Sequence, residues 1–273
     1  MIKLLIFGPT GVMGKLISEL ALKDEDIEVV AACDINNIGD KLGTLVAVKD
    51  SKNIEIADVN NLQEIIVQTK PEVIVDFTTA AATEKNCIIC AKNGIRCVIG
   101  TTALSQEFLN EFENLIKKNN APSVISPNMA TGVNVLFKMA SLLTNYLTDW
   151  DIEVIEAHHH RKVDAPSGTA LKIGQIISDS LGSDFEQTVK FGRNRGPNKR
   201  LIGGKNELGF HSIRAGDIVG DHIVLYAGLG ERIELKHQAH SRYCFAEGAI
   251  KAIKFIAQAK EAKIYSTSEV LGL

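Results

Sequence analysis

The sequence predicts an α/β protein in which a parallel sheet covered by helices is followed by a second, α+β domain with a mostly antiparallel sheet. Three observations support this prediction. Short apolar runs alternate with helical patterns as far as about Trp150, strict period-two alternation follows, and a last helical pattern lies near the end of the chain. Alternating strands and helices favour a parallel sheet with helices on both faces, whereas period-two alternation favours an antiparallel sheet with one covered face.

Five strands are predicted in the first half of the chain, at residues 3–7, 27–33, 72–77, 96–99 and 123–125. Each is a short apolar run, and the stretches between them carry apolar residues at helical spacing. The first helix is marked by Met13, Leu16, Ile17 and Leu20, and residues 133–147 form a later amphipathic helix. Together these elements would build the parallel sheet and its two helical layers.

Two later segments alternate apolar and polar residues and are predicted to form an antiparallel hairpin around Gly228-Leu229-Gly230. The alternating apolar positions are Ile223, Leu225 and Ala227 in one strand, and Ile233, Leu235, His237 and Ala239 in the other. The polar face of the second strand would carry Arg232, Glu234, Lys236 and Gln238. A late helix marked by Phe245, Ala249, Ile253 and Ile256 could pack back on the first sheet. The predicted domains are therefore residues 1–128 with 241–273, and residues 129–240.

The composition excludes several classes of function. A chain of 273 residues, 45% hydrophobic and 23% charged, can bury one large or two moderate cores. The net charge of −3 does not favour nucleic acid or anionic membrane, and no apolar run approaches the roughly 18 residues of a membrane span. Apolar residues 1–7 lead into a glycine loop rather than a cleavage site, and we interpret the five cysteines as buried thiols in a reducing compartment. We therefore expect a cytoplasmic protein that binds neither nucleic acid nor membrane.

Residues 192–206 carry five cations and no acid, namely Arg193, Arg195, Lys199, Arg200 and Lys205. With its glycines and proline, this composition predicts a mobile basic loop. The loop could attract an anionic substrate, or it could be a solvated segment without a function. A nucleic-acid interface is disfavoured because no aromatic residues are interleaved with the cations.

A glycine-rich loop, Gly8-Pro9-Thr10-Gly11-Val12-Met13-Gly14, lies between the first predicted strand and the first predicted helix. Its glycines at positions i, i+3 and i+6 are a variant of the usual dinucleotide-binding fingerprint. A tight turn at this place lets backbone amides and the positive helix N-terminus meet a pyrophosphate. The first domain is therefore predicted to be a Rossmann-type dinucleotide-binding domain. The alternative is a plain tight turn between a strand and a helix.

Asp34 ends the second predicted strand, 20 residues after Gly14, where an acid can accept hydrogen bonds from the adenosine ribose. A 2′-phosphate at that place would need cations, and Ile35-Asn36-Asn37 supplies none. We therefore expect NADH to be preferred over NADPH, or at least to be well accepted.

Two further loops follow predicted strands, Phe77-Thr78-Thr79 and Gly100-Thr101-Thr102. Ligands of open α/β sheets bind at the carboxyl ends of the strands. Gly100 would let the backbone approach a nicotinamide, and the threonine hydroxyls could donate hydrogen bonds to it. Ordinary turn chemistry explains the threonines equally well.

The segment 153–170 concentrates groups suited to proton transfer and anion binding. A predicted strand through Ala157 is followed by five consecutive basic residues, His158, His159, His160, Arg161 and Lys162. Pro166-Ser167-Gly168-Thr169 then starts a helix, so that the amides of Gly168 and Thr169 would favour a carboxylate. A histidine can donate a proton near neutral pH, and Lys162 supplies a fixed positive charge. The pattern indicates a pocket for a small dianion that must be protonated.

Three other interpretations compete for these motifs. His158 and His160 would share a strand face and could ligate a metal, but no second ligand pair has suitable spacing, so no metal site is predicted. The cations could instead form a solvated loop. Cys87 and Cys90 form a C-x-x-C motif inside a helical pattern, where buried packing is favoured over redox chemistry.

At these residues the chain resembles the 4-hydroxy-tetrahydrodipicolinate reductases of lysine and diaminopimelate biosynthesis. Every fixed position of the family pattern E-[IV]-x-E-x-H-x-x-x-K-x-D-x-P-S-G-T-A is matched from Glu153 to Ala170. The resemblance covers essentially the whole chain. It includes the glycine loop, Asp76-Phe77-Thr78, Gly100-Thr101-Thr102, Asn128, Gly132-Val133-Asn134, residues 214–220, Gly230-Glu231-Arg232 and Ser241-Arg242.

The resemblance implies a reaction and a role for each matched residue. NAD(P)H would give a hydride to C4 of a cyclic unsaturated dicarboxylate, with His158 as the general acid and Lys162 assisting substrate binding and charge stabilisation. His159, Gly168 and Thr169 would bind the substrate. The cofactor positions would be Gly8, Gly11, Val12, Met13, Gly14, Asp34, Phe77, Thr78, Gly100, Thr101, Thr102 and Asn128. The family is typically a homotetramer built through the second sheet, without a metal cofactor.

Two positions depart from the family pattern. Val12 stands where many members carry an arginine that contacts a cofactor phosphate, which favours NADH further, and Ala80 stands near a position where many carry a cation. Two other functions stay open. A related reductase could act on another cyclic imine or keto acid, and a dinucleotide sensor would not need the basic cluster at residues 158–162.

Overall fold

In a computed structural model, residues 1–48 and 53–273 are described, and the chain divides into two compact units. Unit 1 comprises Met1–Thr131 and Arg242–Leu273, and unit 2 comprises Gly132–Ser241. Within the described ranges, no helix combines the length and the apolarity that are needed to cross a bilayer.

The described part of unit 1 contains a seven-stranded parallel sheet in the order β12-β6-β5-β4-β1-β2-β3. Its strands are β1 (Ile2–Phe7), β2 (Ile27–Asp34), β3 (Ile56–Asp58), β4 (Val73–Asp76), β5 (Arg96–Ile99), β6 (Ser123–Ile125) and β12 (Ile264–Tyr265). Its helices are α1 (Val12–Lys23), α2 (Leu42–Leu45), α3 (Leu62–Thr69), α4 (Ala80–Lys92), α5 (Gln106–Asn119), α9 (Tyr243–Gln258) and α10 (Thr267–Leu271), with a 3-10 turn at Val59–Asn61.

Helices cover both faces of this sheet, as the apolar runs predict. Leu4 and Ile6 of β1 pack in one core with residues of α1 and α9, whereas Leu5 and Phe7 pack in a second core with residues of α3, α4 and α5. Because successive side chains of a strand point to opposite faces, a strand buried on both sides must be apolar throughout. The five predicted strands are all present. The two that were not predicted, β3 and β12, are edge strands of three and two residues with too few apolar positions to give a signal.

Unit 2 is built on a five-stranded sheet in the order β11-β10-β7-β9-β8. Its strands are β7 (Asp151–His158), β8 (Val189–Phe191), β9 (Leu208–Arg214), β10 (Asp221–Ala227) and β11 (Arg232–Gln238). Its helices are α6 (Thr131–Tyr146), of which all but the first residue belong to this unit, α7 (Gly168–Leu181) and α8 (Phe185–Thr188). The predicted hairpin is the antiparallel pair β10–β11, and β10 also pairs antiparallel with β7. The sheet is mixed rather than mostly antiparallel, because β9 pairs in parallel with β7 and β8.

The covered face of β10 is the opposite of the one that the apolar alternation suggested. His222, Val224 and Tyr226 are buried at 3%, 0% and 0% exposure, whereas Ile223 and Leu225 are only half-buried. Both faces of this strand carry large side chains, so the period of two does not say which face a helix covers. Tertiary packing decides it, since the Tyr226 hydroxyl lies 2.9 Å from the Thr144 hydroxyl of α6 and donates to the Ala140 carbonyl at 3.0 Å.

The basic loop at residues 192–206 is anchored, which corrects the expectation of a mobile segment. Arg200 pairs with Glu153 and donates to the Glu207 carbonyl at 2.6 Å, and Arg193 pairs with Glu207. The Gly203 amide also donates to Asp151 at 2.7 Å. The sequence pattern of the loop missed this because the acids that hold it lie outside it in the chain.

Candidate active site

The glycine loop joins β1 to α1 in unit 1. Gly8 has a φ of 64°, in the left-handed region that favours glycine, and the Gly11 amide donates to the Gly8 carbonyl at 3.1 Å. Gly11 is the N-cap of α1, no side chain caps the helix, and its first turn carries no acid. The loop therefore presents backbone amides and a positive helix terminus, an arrangement that fits the pyrophosphate of a dinucleotide.

Gly14 packs against the backbone of this loop. A Cβ at Gly14 would overlap the Gly8 carbonyl oxygen, whereas a Cβ at Gly11 would lie 3.4 Å from the same atom. Gly14→Ala is therefore expected to lower the free energy of unfolding by about 1–3 kcal/mol, measured by urea denaturation. Gly11→Ala is the matched control and should leave the stability nearly unchanged. Equal losses in the two variants would contradict the packing argument.

Asp34 is the last residue of β2 and is 8% exposed. Thr10 donates to its Oδ2 through the backbone amide at 3.2 Å and the hydroxyl at 2.7 Å, and the amides of Ile35 and Asn36 donate to Oδ1 at 2.7 and 3.0 Å. Burial opposes the negative charge, but these hydrogen bonds outweigh it and hold the pKa of Asp34 below its usual range. An ionised carboxylate is thus fixed beside the glycine loop.

A cleft lies at the carboxyl ends of β1, β2 and β4. Its lining includes Gly8, Gly11, Asp34, Phe77 and Thr78, five of the residues that the sequence predicted to bind the cofactor. β1 pairs with β2 on one side and with β4 on the other. The cleft therefore lies where the strand order changes direction, which is where open α/β sheets bind ligands.

The other predicted cofactor residues do not line this cleft. Val12 is 61% exposed at the first residue of α1, Met13 packs on the core, and Gly14 is buried. Asn128 follows β6 and accepts a hydrogen bond from the Ala130 amide at 3.0 Å. Gly100, Thr101 and Thr102 directly follow β5.

Asp76 ends β4 and organises the threonines around it. It is 0% exposed, and its Oδ1 accepts from the Thr78 amide at 2.8 Å, the Thr78 hydroxyl at 2.6 Å and the Thr83 hydroxyl at 2.9 Å. The Thr83 hydroxyl also lies 2.8 Å from that of Thr101. Burial raises the pKa of Asp76 despite these bonds. The Thr101 hydroxyl is therefore used inside the protein, as the turn interpretation expects. Gly100 is needed here because a Cβ would overlap the Phe77 ring.

In unit 2, His158 is the last residue of β7 and is 8% exposed. Its Nδ1 lies 2.5 Å from Oε2 of Glu156, a neighbour two positions earlier on the same face of the strand. Burial lowers the pKa of His158, and Glu156 opposes this effect. Because Nδ1 is hydrogen-bonded to Glu156, Nε2 is the ring nitrogen that can exchange a proton with a ligand. The small residue Gly220 adjoins Nε2, since a Cβ there would lie 3.2 Å from it.

The Glu156 carboxylate also holds a second strand and the start of α7. Arg214 of β9 binds it with both terminal nitrogens, at 2.9 and 2.8 Å, and the Ser167 amide donates to it at 3.2 Å. Ser167 is the N-cap of α7, and its hydroxyl accepts from the Ala170 amide at 3.2 Å. Although Glu156 is 1% exposed and burial opposes its charge, its pKa is lowered by Arg214 and His158.

His222 of β10 packs against His158. The two rings meet edge to face with centroids 5.3 Å apart, and Nε2 of His222 lies 3.1 Å from the Ser167 hydroxyl. Burial lowers the pKa of His222 to about 4, so the ring is neutral near pH 7. His222 therefore packs against the His158 ring without adding a positive charge beside it.

The loop after β7 and the start of α7 carry the remaining predicted substrate residues. Lys162 is partly buried, and its Nζ lies 2.8 Å from Asp164. His159 is half-buried, and among the described residues its Nδ1 has no hydrogen-bond partner. Gly168 and Thr169 are the first two residues of α7, and the space beside the Gly168 Cα is open. All of these residues lie within 11 positions of His158 in the chain.

The structure also bears on two other motifs, the histidine run as a possible metal site and the C-x-x-C pair. Within the part of the chain that the structure describes, no three His, Cys, Asp or Glu side chains are arranged to hold a metal ion. Cys87 and Cys90 are fully buried in the second core of unit 1, and burial raises the pKa of both thiols. This environment disfavours the thiolate that redox chemistry needs.

Sequence reasoning missed four residues that build the site in unit 2, namely Glu156, Ser167, Arg214 and His222. One signal was available. Glu156 shares a strand face with Ile152 and Val154, both 0% exposed, and an acid on an apolar face needs buried partners. Arg214 and His222 are distant in the chain, and only the pairing of β7 with β9 and β10 brings them to this carboxylate.

Comparison with known proteins assigns both parts of the chain to one family. Residues 2–129 match the family model described as dihydrodipicolinate reductase, N-terminus, and residues 132–271 match the one described as dihydrodipicolinate reductase, C-terminus. The 4-hydroxy-tetrahydrodipicolinate reductase of Methanosarcina barkeri is 45% identical over 273 residues, with 100% of both chains covered. That of Methanocaldococcus jannaschii is 44% identical over 276 residues, covering 100% of this chain and 98% of its own.

A solved structure extends the likeness to the fold. The dipicolinate-bound dihydrodipicolinate reductase from Paenisporosarcina sp. TG-14 is 30% identical, with a TM-score of 0.78 and 98% of each chain covered. Both family models, the full-length relatives and this structure agree. The chain belongs to the dihydrodipicolinate reductase family.

Proposed function

We propose that this protein is a reductase that uses NAD(P)H to convert 4-hydroxy-tetrahydrodipicolinate, by way of dihydrodipicolinate, to tetrahydrodipicolinate in lysine and diaminopimelate biosynthesis. Its membership of the dihydrodipicolinate reductase family supports this assignment. The structural observation that carries it is one buried carboxylate, Glu156, which holds a histidine and the capped start of a helix side by side. This places a proton donor next to an anion-binding helix terminus, as reduction of a dicarboxylate requires.

The residues of unit 2 have separate tasks in this reaction. The amides of Gly168 and Thr169 at the start of α7, together with His159, bind a substrate carboxylate, and Lys162 supplies positive charge beside it. Burial keeps the pKa of free His158 low. A bound dianion would raise that pKa, so that His158 is protonated where the substrate is present and donates from Nε2 to the reduced ring.

Unit 1 is the dinucleotide-binding domain in this proposal, and unit 2 binds substrate. Gly8, Gly11 and Gly14 form the pyrophosphate cradle, with Val12 and Met13 contributing backbone only, and Asp34 faces the adenosine ribose. Phe77, Thr78, Gly100, Thr101, Thr102 and Asn128 form the nicotinamide side of the site. When bound, the cofactor supplies the hydride.

The cofactor is proposed to be NADH in preference to NADPH. The ionised carboxylate of Asp34 is held by Thr10, Ile35 and Asn36, so it cannot turn away from a 2′-phosphate without losing these bonds. Val12, the exposed residue at the start of α1, offers no charge to a phosphate.

Asp34→Ala is expected to reduce the preference for NADH. Removing the carboxylate takes away an acceptor for the ribose and the repulsion of a 2′-phosphate, so the ratio of kcat/KM for NADH over NADPH should fall roughly tenfold or more. Steady-state kinetics with both cofactors measure this ratio. Asp40→Ala, at an exposed acid that follows the same strand, is the control and should leave the ratio unchanged. A wild-type protein that strongly prefers NADPH would contradict the proposal.

The proposed assembly is a homotetramer built through the sheet of unit 2. Its support is the face opposite α7, where Ile155, Ile213, Ile223 and Leu225 are partly or well exposed in the single chain. Exposed apolar side chains that adjoin across strands are typical of a surface that another chain covers.

A cytoplasmic location is proposed from the cysteines. Cys33, Cys87, Cys90 and Cys97 are buried and form no disulfide bonds with one another, as is usual for proteins in a reducing compartment.

A coupled assay tests the function directly. The substrate is made in situ by the enzyme that produces 4-hydroxy-tetrahydrodipicolinate, and oxidation of NADH is followed by absorbance. We expect substrate-dependent oxidation of NADH. If the protein binds NADH without oxidising it here, but does so with another cyclic imine or keto acid, the substrate assignment is wrong and the reductase class stands.

A further inference from the structure

Glu156 and Arg214 have no part in the chemical steps above, yet they form a buried, bidentate ion pair directly beside His158. Oε2 of Glu156 accepts from Nδ1 of His158 at 2.5 Å and from Arg214 at 2.9 Å. Oε1 accepts from Arg214 at 2.8 Å and from the Ser167 amide at 3.2 Å. Both oxygens are therefore saturated in a site that is 1% exposed, which favours the ionised carboxylate.

Arg214 is held in place by hydrogen bonds besides those to Glu156. Its side chain is 19% exposed, and it also donates to the Asp164 carbonyl at 2.6 Å and to the Ile213 carbonyl at 2.8 Å. A bidentate guanidinium in such a frame cannot be replaced by a lysine without loss of geometry. Its guanidinium therefore stays bound to the Glu156 carboxylate.

We propose that Glu156 and Arg214 act together as positioning residues for His158. The Glu156 carboxylate fixes the ring with Nε2 as its proton-donating atom and holds the cap of α7 beside it, while Arg214 shares the negative charge of that carboxylate. The inference deepens the proposed reductase function and rests on it for the role of His158 as an acid.

The positive charge on Arg214 affects how readily His158 gives up its proton. A buried carboxylate alone, 2.5 Å from the ring, would hold the imidazolium as an ion pair and make it a poor acid. Four titratable or charged side chains act on His158: Glu156 on β7, Lys162 in the following loop, Arg214 on β9 and His222 on β10. Burial is the largest effect and lowers the pKa of His158, Glu156 opposes it by favouring the protonated ring, and Lys162 and Arg214 add to the lowering. The balance leaves a proton that His158 can give up.

Two substitutions with opposite charge effects test the proposal. Glu156→Gln keeps an acceptor but removes the negative charge, so the pKa of His158 should fall by about one unit. Arg214→Gln removes the positive charge, so that pKa should rise by about one unit. The readout is the titration of the His158 ring by NMR of its carbon-bound protons, assigned from the signal that is lost in His158→Gln.

The same variants make a kinetic prediction. Activity that needs protonated His158 declines as the pH rises through its pKa, and kcat/KM reports the free enzyme. The alkaline limb of the kcat/KM profile should therefore move to lower pH in Glu156→Gln and to higher pH in Arg214→Gln. At pH values well above the pKa of His158, a shift of one unit in that pKa corresponds to a tenfold change in kcat/KM.

A double variant and a matched control complete the experiment. Glu156→Gln with Arg214→Gln leaves no unpaired buried charge, and it should shift the titration downward by less than Glu156→Gln alone. Glu153→Gln is the control. Glu153 lies on the same strand, roughly 16 Å from His158 at the usual strand rise, and pairs with Arg193, Arg200 and His211. Its loss breaks a similar set of ion pairs and should leave the titration of His158 unchanged.

The outcomes separate this inference from the proposed function. A downward shift in Glu156→Gln and an upward shift in Arg214→Gln, with Glu153→Gln unchanged, support it even if the coupled assay shows no reduction of the proposed substrate, because the NMR titration needs no turnover. Shifts of the same sign in both single variants, or no shift in either, overturn it even if the protein is an active reductase. If one single variant does not fold, the other decides alone, because a shift of the wrong sign or no shift in it overturns the inference. If neither folds, a small downward shift in the double variant supports the inference, and an upward shift overturns it.

Discussion

Replacement of His158 by glutamine is expected to lower kcat by roughly 10²–10⁴-fold with a much smaller change in substrate affinity, since this is the range for loss of a general acid. Glutamine can keep a hydrogen bond to Glu156 but cannot deliver a proton at neutral pH. The measurement is steady-state kinetics with the coupled substrate supply, at a pH where the wild-type protein is fully active.

His160→Gln is the matched control for this experiment. His160 lies two residues further along, is exposed, and has its Nδ1 2.9 Å from the Gly216 carbonyl. It has no contact with Glu156, and its replacement should leave kcat within about a factor of two, as usual for a surface change. Near-normal turnover in His158→Gln, or an equal loss in the control, would show that His158 is not the acid.

Replacement of Lys162 by alanine is expected to weaken substrate binding and to slow catalysis together, with a loss of roughly 10- to 100-fold in kcat/KM. A hydrogen bond to a charged group contributes about 1.5–3 kcal/mol, and the same charge is also expected to stabilise the transition state. The stability of the fold should change little, because the partner of Lys162, Asp164, is 59% exposed and will be solvated when left alone.

Arg161→Ala controls for the loss of a neighbouring cation. Its guanidinium is 60% exposed and pairs with Asp217, which is 84% exposed, so solvent screens the pair. Its replacement should leave kcat/KM nearly unchanged. If Lys162→Ala changes only KM, the lysine binds substrate without stabilising charge in the transition state; if neither constant moves, the proposed substrate site is wrong.

Much of the site could be predicted because it is local in the chain. His158, Lys162, Gly168 and Thr169 lie within a single strand–loop–helix segment, so their spacing alone indicated an acid, a cation and a helix terminus. The glycine loop was readable for the same reason. Gly8 is favoured by its left-handed φ of 64°, and Gly14 must be small because a Cβ would overlap the Gly8 carbonyl oxygen, so both constraints act within one turn.

The polar network around the acid could not be predicted in this way. Glu156 is a fixed position of the signature, but its role depends on Arg214 and His222. These two residues lie 58 and 66 positions further along the chain. The basic loop shows the same limit. Its cations suggested a mobile or substrate-attracting segment, whereas Arg193 and Arg200 are held by Glu153 and Glu207.

By itself, the sequence determined the parallel sheet with two helical layers, the dinucleotide loop and the family, because apolar periodicity, glycine spacing and a long signature are properties of neighbouring residues. Only the tertiary structure decided which face of β10 is buried, that the second sheet is mixed, and that Glu156 is shared by His158, Ser167 and Arg214. The physical reason is that strand pairing and the desolvation of a buried charge depend on partners that are distant in the chain. Those partners are defined only once the strands are side by side.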